Sequence, residues 1–590
     1  MSQERKIIVR VRAETEEEFK ELAGAAKEMG ATHVNVDCLP RSRWMLERDL
    51  SDPYPNWSMI HTPLFKLVCP SALEKYLPVG FIRTCFETVK ERCEFLASLG
   101  LKGALFSNEP FWLPEEAYRD HPDWRGARCD HPRRSRHTYY SPCIDNPEIL
   151  EMYRFAVKEL LSQTGIDFIS FMTNDSGGGL CWSSGTYVGP NGPEACRKRS
   201  MSERVLGFLD ALNAGADEAG VPVTINFSAG LGFKAAEAGV DEAWRGAADN
   251  CIIGGRNSRG ERPIAMLTGE ENYWIKKIPD LYGRLQSVGR AMKSDKEIVV
   301  FNLGITDFHE EIRYFVKNLQ DMPKTSKGYA DTVFDTAADI AGSEGAHLLN
   351  DALFYIHEGE LHFSHSGIGL IAHGIVHQRW INRPFVLFPE ELTEEESSYY
   401  RPYQFQALDE KHANDLLDMQ NIECTRGFSA AFLLSQTVAK ASGAFQKAVA
   451  CLNGLSTVCP DLKDKADMLI RRLDVYDCLM KTCVNAALFQ NLVDRIDFET
   501  RPVLDCRWPT RNDLRIEEFQ NITRSEIDNA YRLADLLEGH APEIFRMTDD
   551  PGLEDVFTLG PNLVSQIRRK AEIMLDHELD ANRVFERHNI

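Results

Sequence analysis

Residues 166–193 read IDFISFMTNDSGGGLCWSSGTYVGPNGP. The stretch opens on Ile166, Phe168, Ile169 and Phe171, the apolar run expected of a short strand buried on both faces. It breaks at Asn174 and Asp175, passes through Gly177, Gly178 and Gly179, and reaches Trp182, Tyr187 and a turn-rich Gly189-Pro190-Asn191-Gly192-Pro193. A carboxylate at the C-terminal tip of a buried strand, followed by glycines that let backbone approach a ligand and by rings that can stack on it, is the layout of a binding site. An Asp in such a turn can also do no more than cap it. The binding-site reading gains because the layout recurs along the chain.

Upstream, Lys6–Val11 predicts a strand, and Thr15–Met29 an amphipathic helix stopped by Gly30 with Thr15 and Glu18 as a capping box. Thr32–Val36 predicts a second strand, Gly80–Leu99 a helix, and Gly103–Phe106 a third strand. That strand ends in Ser107-Asn108-Glu109-Pro110-Phe111-Trp112, where a carboxylate again has an aromatic ring beside it. Downstream, Pro147–Leu161, Ser202–Ala219 and Ile278–Met292 predict helices. Val221–Phe227 predicts a strand with Asn226 near its tip, Asn250–Gly254 one ending near Arg256 and Asn257, and Glu297–Phe301 one ending at Asn302. Asp307, His309 and Glu310 follow. Two irregular connections stand out. One carries Trp44, Tyr54, Trp57 and His61; the other carries Arg125, Arg128, Arg133, Arg134 and Arg136, which pair with the protein's own acids or face a substrate carboxylate or sulfate.

Strands alternating with helices predict βαβ units on a parallel sheet. No glycine fingerprint follows the first strand, as a dinucleotide site would need. A (β/α)8 TIM-type barrel is therefore the expected α/β fold over residues 1–400, which brings Glu109, Asp175, Asn226 and Asn302 to one face. Its eighth strand is expected near Leu353–Ile356 or Glu360–Phe363. From Tyr403 onward the pattern becomes consecutive helices: Glu410–Met419, Gly427–Leu452, Leu462–Asp494, Arg524–Leu537 and Pro561–Leu579. Ala466, Leu469, Ile470, Leu473, Tyr476 and Leu479 form a core-facing stripe, and Thr523 with Glu526 a capping box. Residues 401–590 are thus expected to be an all-α C-terminal domain that packs on the barrel, lends a loop to the cleft, or forms a homodimer.

The chain has 590 residues, too many for one hydrophobic core. Its 67 basic and 89 acidic residues leave a net charge of −22, which argues against nucleic acid or an anionic membrane as partner and favours neutral or cationic substrates. The N-terminus lacks the apolar core of a signal peptide, and no segment nears the ~18 uninterrupted apolar residues of a membrane span, so a cytoplasmic protein is expected. The 15 cysteines are scattered, many in apolar runs, as suits reduced core thiols; no CxxC pair suggests a structural zinc site.

The strand-end acids and amides, the Trp-rich loops and the appended helical region together resemble the TIM-barrel glycoside hydrolases, with an architecture similar to the α-glucuronidase and β-hexosaminidase types. The resemblance covers residues 1–400 in layout and implies the scaffold and the reaction class. Hexosaminidases of that kind carry an adjacent Asp-Glu pair at the fourth strand. This chain has Asn174-Asp175 there, so chemistry assisted by an N-acetyl group is not carried over.

Glycosidic cleavage needs one carboxylic acid to protonate the leaving oxygen and one carboxylate to stabilise or attack the oxocarbenium-like centre. Asp175 and Glu109, on successive strand tips, are the first pair expected. Glu270 and Glu271, in LTGEENYW, are rivals for the second position, with Asp307 and Glu310 behind them. Asn174, Asn226, Asn302 and Arg256 are expected to bind sugar hydroxyls or charge, and Trp112, Trp182, Tyr187 and Trp274 to offer ring faces. The expected partner is an oligosaccharide or glycoside, with no cofactor. Two other readings compete. One is a carbohydrate-binding protein that lost its acid pair, suggested by Asn174. The other is a metal enzyme using His347, His357, His362, His365, His373 and His377; a helix over this segment would put His373 and His377 on one face, but the intervening residues lack the Glu of HExxH, and a metal is not expected.

Overall fold

The computed structural model describes residues 5–37, 39, 62–128, 139–172, 196, 198–228, 240–267, 275–364, 380–404, 428–495, 514–551, 554 and 559–585. Eight strands form one parallel sheet: β1 Lys6–Val11, β2 His33–Asn35, β3 Lys102–Asn108, β4 Phe168–Met172, β5 Thr224–Ser228, β6 Cys251–Ile253, β7 Ile264–Leu267 and β8 Ile298–Leu303. Their spatial order is β6-β5-β4-β3-β2-β1-β8-β7, so the first strand lies between the second and the last. Each neighbouring pair is parallel. The result is a curled α/β sheet whose hydrogen-bonded order, among the described residues, ends at β6 and β7.

Side chains alternate along each strand, and here the two parities enter different cores. Ile7, Val9, Val11, Val34, Leu105, Ile169, Phe171, Ile225, Phe227, Val299 and Phe301 pack with helices α1 Glu16–Glu28, α2 Val79–Ser98, α3 Pro147–Thr164, α4 Met201–Ala219 and α5 Leu281–Met292. The opposite parity, Ile8, Ala104, Phe168, Ile252, Ile298 and Val300 with Phe106, Ile264 and Met266, forms a cluster made of strand residues alone. Among the described residues, helices therefore cover one face of the sheet while the other face packs on itself, which a doubly wound sheet would not do.

Local signals explain the element boundaries. Thr15 accepts from the Glu18 amide at 3.1 Å, while the Glu18 carboxylate accepts from Glu14 N rather than from Thr15 N. Asn146 caps α3 and Gly165 ends it with φ 65°. Ser200 and Glu203 form a full capping box on α4.

Two expectations about the strands change. The seventh strand, Ile264–Leu267, went unread, and it makes Ile298–Leu303 the eighth. The segments expected as the last strand, Leu353–Ile356 and Glu360–Phe363, lie inside a helix, α7 Ser326–Ser364, which kinks at Gly342. A nine-residue helix, α6 Glu310–Asn318, separates β8 from α7.

Helices α7, α8 Phe428–Val458, α9 Lys463–Asp494, α10 Leu514–Leu537 and α11 Leu563–Asp576 build a second hydrophobic core, with Leu349, Leu353, Phe445, Leu473, Tyr476, Phe489, Leu533 and Ile567 inside it. Ala466, Leu469 and Leu479 are buried as their spacing requires. Thr523 is not a cap: it lies inside α10, well past its first turn, and donates to the Phe519 carbonyl, while Glu526 is wholly buried against Lys570. No helix among the described residues is long and apolar enough to cross a membrane.

Candidate active site

The two ends of the sheet's inner face differ in chemistry. At the N-terminal end, Asp167 receives His33 Nε2 and Lys102 Nζ, both at 2.6 Å, and its carbonyl accepts from Lys6 Nζ at 2.9 Å. Burial alone would raise the Asp167 pKa, but His33 and the two lysines outweigh it and hold the carboxyl low. This end is closed by groups that satisfy one another.

At the C-terminal end the inner parity carries Arg10, Asn108, Ser170, Asn226 and Asn302, each an even number of residues beyond an inner-cluster residue of its strand or bonded to one. Asn226 Nδ2 donates to Ser170 Oγ on β4 at 2.8 Å and lies 3.2 Å from Met266 Sδ on β7. The Arg10 guanidinium lies 4.1 Å over the Phe106 ring, and its Nε is buried with no hydrogen-bond partner among the described residues. Asp37, two residues past β2, is held by Asn35 Nδ2 at 3.1 Å; burial raises its pKa, against the pull of Arg10 and Asn35. Arg10 and Asp37 escaped the sequence reading. The signal available was period-two parity carried past the strand ends.

Glu109 has the opposite parity to Asn108. Its carboxyl is enclosed on the helix side, where Oε1 accepts from Leu64 N at 2.6 Å and Ser107 Oγ at 2.7 Å, and Oε2 from Tyr153 of α3 at 2.9 Å. Burial pushes its pKa up to about 7 in spite of these donors. Trp112 is 4 % exposed and packs between Phe111 and Tyr139 within the helix-side core. Asn302 and Asn226 are buried at the inner strand ends, and the Asn302 carbonyl accepts from Arg284 at 2.6 Å. Arg256 lies in the tight turn after β6, beside Trp244 and the Gly260 carbonyl. Asn174, Asp175, Trp182, Tyr187, Glu270, Glu271 and Trp274 lie outside the described residues, as do His365, His373 and His377. His347 and His357 pack on Phe334 and Tyr282 instead of meeting each other, and no group of three or more ligands among the described residues could hold a metal.

The loop after β8 is tied to the helical region. Asp307 pairs with Lys277 at 3.2 Å and with Arg472 of α9; burial opposes its charge, but the two cations win and lower its pKa. Next to it, Glu310 accepts from Thr306 and is fully buried, with no partner for Oε1 among the described residues. Glu311 accepts from Gly304 N at 3.2 Å and faces Arg284 at 3.4 Å. Burial pushes Glu310 to about 7 and Glu311 to about 8.

No family model and no curated protein sequence matches this chain. Its fold does match solved structures. An enzyme of glycoside hydrolase family 138 described as targeting pectin rhamnogalacturonan II aligns over 98% of this chain and 84% of its own, with a TM-score of 0.52 at 9% identity. A Thermobaculum terrenum O-GlcNAc hydrolase aligns over 98% and 97% with a TM-score of 0.34 at 9% identity, and a family 36 α-galactosidase of Geobacillus stearothermophilus over 57% and 41% with 0.29 at 16%. The first of these exceeds 0.5 and carries the comparison. A curled parallel sheet with an appended helical bundle, aligned along nearly the whole chain, gives this protein the fold of a glycoside hydrolase.

Proposed function

We propose that the chain is a glycoside hydrolase working at the C-terminal ends of its parallel strands, with the sheet closing between β6 and β7 into a full barrel. The observation that supports this most directly is the reach of Asn226 from Ser170 of β4 to Met266 of β7. It draws together the two strands that lead in sequence to Asp175 and to Glu270 and Glu271. In this reading Asp175 protonates the leaving oxygen, and Glu270 or Glu271 attacks or stabilises the anomeric carbon or activates water there; their separation would decide between retention and inversion. Asn174, Asn226 and Asn302 hold hydroxyls, Arg256 lies at the rim, and Trp182, Tyr187 and Trp274 supply ring faces. Glu109, enclosed by Leu64, Ser107 and Tyr153, holds the β3 tip in place.

Acidic pectin-derived oligosaccharides are the first substrates to try. The family 138 enzyme is described as acting on such a polymer, and the inner-facing Arg10 offers a guanidinium to a sugar carboxylate. The net charge of −22 does not oppose this, because distant surface charges are screened over about 10 Å whereas Arg10 would act at contact. The experiment is a release assay on pectic oligosaccharides and aryl glycosides, with binding followed in parallel by calorimetry. Cleavage lost in Asp175→Asn supports the proposal. Tight binding with no cleavage of any glycoside would make the chain a carbohydrate-binding protein instead.

A further inference from the structure

Two connections frame the C-terminal ends of β3 and β4, and among the described residues each carries one buried cysteine. Cys143 follows a two-stranded ribbon, Arg125–Arg128 with Tyr140–Pro142, in the connection from β3 to β4. Cys196 precedes α4 in the connection from β4 to β5. Their sulfurs stand 3.6 Å apart, at van der Waals contact, with the residues 5 % and 2 % exposed. The backbone holds both in place: Cys143 N donates to the Trp124 carbonyl at 2.7 Å, and Arg199 N donates to the Cys196 carbonyl at 3.3 Å. The ion pair of Arg199 with Asp145 links the same two connections beside them. Nothing in the proposed reaction uses either thiol.

We propose that Cys143 and Cys196 are a modification site, a dithiol that a small-molecule disulfide converts into an intrachain disulfide bond. A Cys143 or Cys196 thiolate attacks one sulfur of the reagent, forming a mixed disulfide and releasing one reagent thiolate. The second cysteine's thiolate attacks the protein sulfur of that mixed disulfide and expels the other reagent thiolate. The reagent is reduced to two thiols, which take up the two cysteine protons, and the protein dithiol is oxidised. Contact between the sulfurs makes the second step intramolecular and favours it over a lasting mixed disulfide. The new bond would close a loop between positions 53 apart, joining the connection after β3 to the one after β4. This holds whether or not the chain is a glycosidase.

The test uses the full chain, purified in reductant, freed of it, equilibrated with oxidised glutathione, then denatured and alkylated. The expected result is loss of two alkylation sites, a tryptic species joining the Cys143 and Cys196 peptides, and full reversal by dithiothreitol. Cys143→Ser should remove the joined species and leave Cys196 alkylated or glutathionylated; Cys196→Ser should do the converse. Full alkylation of both cysteines in the unmodified chain, or glutathione on each without a joined peptide, would overturn the proposal, and neither result depends on a variant folding.

Discussion

The Asn226 amide nitrogen of β5 lies 3.2 Å from the Met266 sulfur of β7, although β6 falls between those strands in sequence. The same nitrogen donates to Ser170 on β4, so one buried amide spans three strands at the inner face. Asn226→Leu keeps the branched shape and the number of heavy atoms but leaves Ser170 Oγ without this donor. It should cost about 1–2 kcal/mol in urea unfolding, the usual scale for a buried hydrogen bond. Unchanged stability together with unchanged turnover would remove Asn226 from both the inner packing and the site.

Asp175→Asn should leave the urea midpoint nearly intact while lowering turnover at least about a hundredfold, with a milder loss on aryl glycosides that have good leaving groups. Glu109→Ala should behave differently, losing stability and activity together because Leu64 N, Ser107 and Tyr153 all lose their acceptor. Near-normal turnover of Asp175→Asn on every cleaved substrate would move the acid to Glu270 or Glu271.

Glu310 and Glu311 make stability depend on pH in a fixed direction. Both carboxyls are held protonated in the folded chain, to about 7 and about 8, while the unfolded chain releases these protons near 4.5. Folding therefore takes up protons across this window. Their contribution is full below pH 4.5 and is lost as pH rises through about 8. Glu310→Gln keeps a partner for Thr306 and abolishes the titration, so its unfolding free energy should fall less between pH 5 and pH 8 than that of the parent, by a few kcal/mol at most. Parallel curves for parent and variant would count against this.

Lys570 and Glu526 are buried in the helical core, with Thr482 and Asn485 also donating to the carboxylate and Lys570 donating to the Trp380 carbonyl. Burial lowers the Lys570 pKa against the pull of Glu526. Lys570→Met strands a charge and should cost about 3–5 kcal/mol, whereas Lys570→Met with Glu526→Gln should recover much of it. Additive losses measured in a double-mutant cycle would show that the two groups are not coupled.

Legibility followed from the range of each signal. β1 and β8 carry runs of Ile and Val, and β3 and β4 short runs of apolar and aromatic residues, so local pattern finds them. β7 is four residues, Ile264-Ala265-Met266-Leu267, with neither alternation nor length to mark it. Leu353–Ile356 reads equally well as a buried strand or as part of a helix, and the structure resolves it by placing it in the helical stretch that follows the break at Gly342. At the site, sequence places both Asn108 and Glu109 at a strand tip, but only the strand's parity assigns Asn108 to the interior and Glu109 to the helix layer. The meetings of Asn226 with Met266 and of Cys143 with Cys196 join distant segments and leave no local trace.

The grip of the helical region on the β7 and β8 connections sets a limit on how far this protein can be trimmed. Ile275 pairs with Phe545, Lys276 N donates to the Ile544 carbonyl at 2.7 Å, and Ile275 and Phe308 are buried in the helical core rather than under the sheet's own helices. Tyr282 packs against both cores. A gene shortened to its strand-bearing half would expose these apolar side chains and leave Asp307 without Arg472, so a compact version suited to industrial or analytical use would have to keep the bundle or redesign that seam.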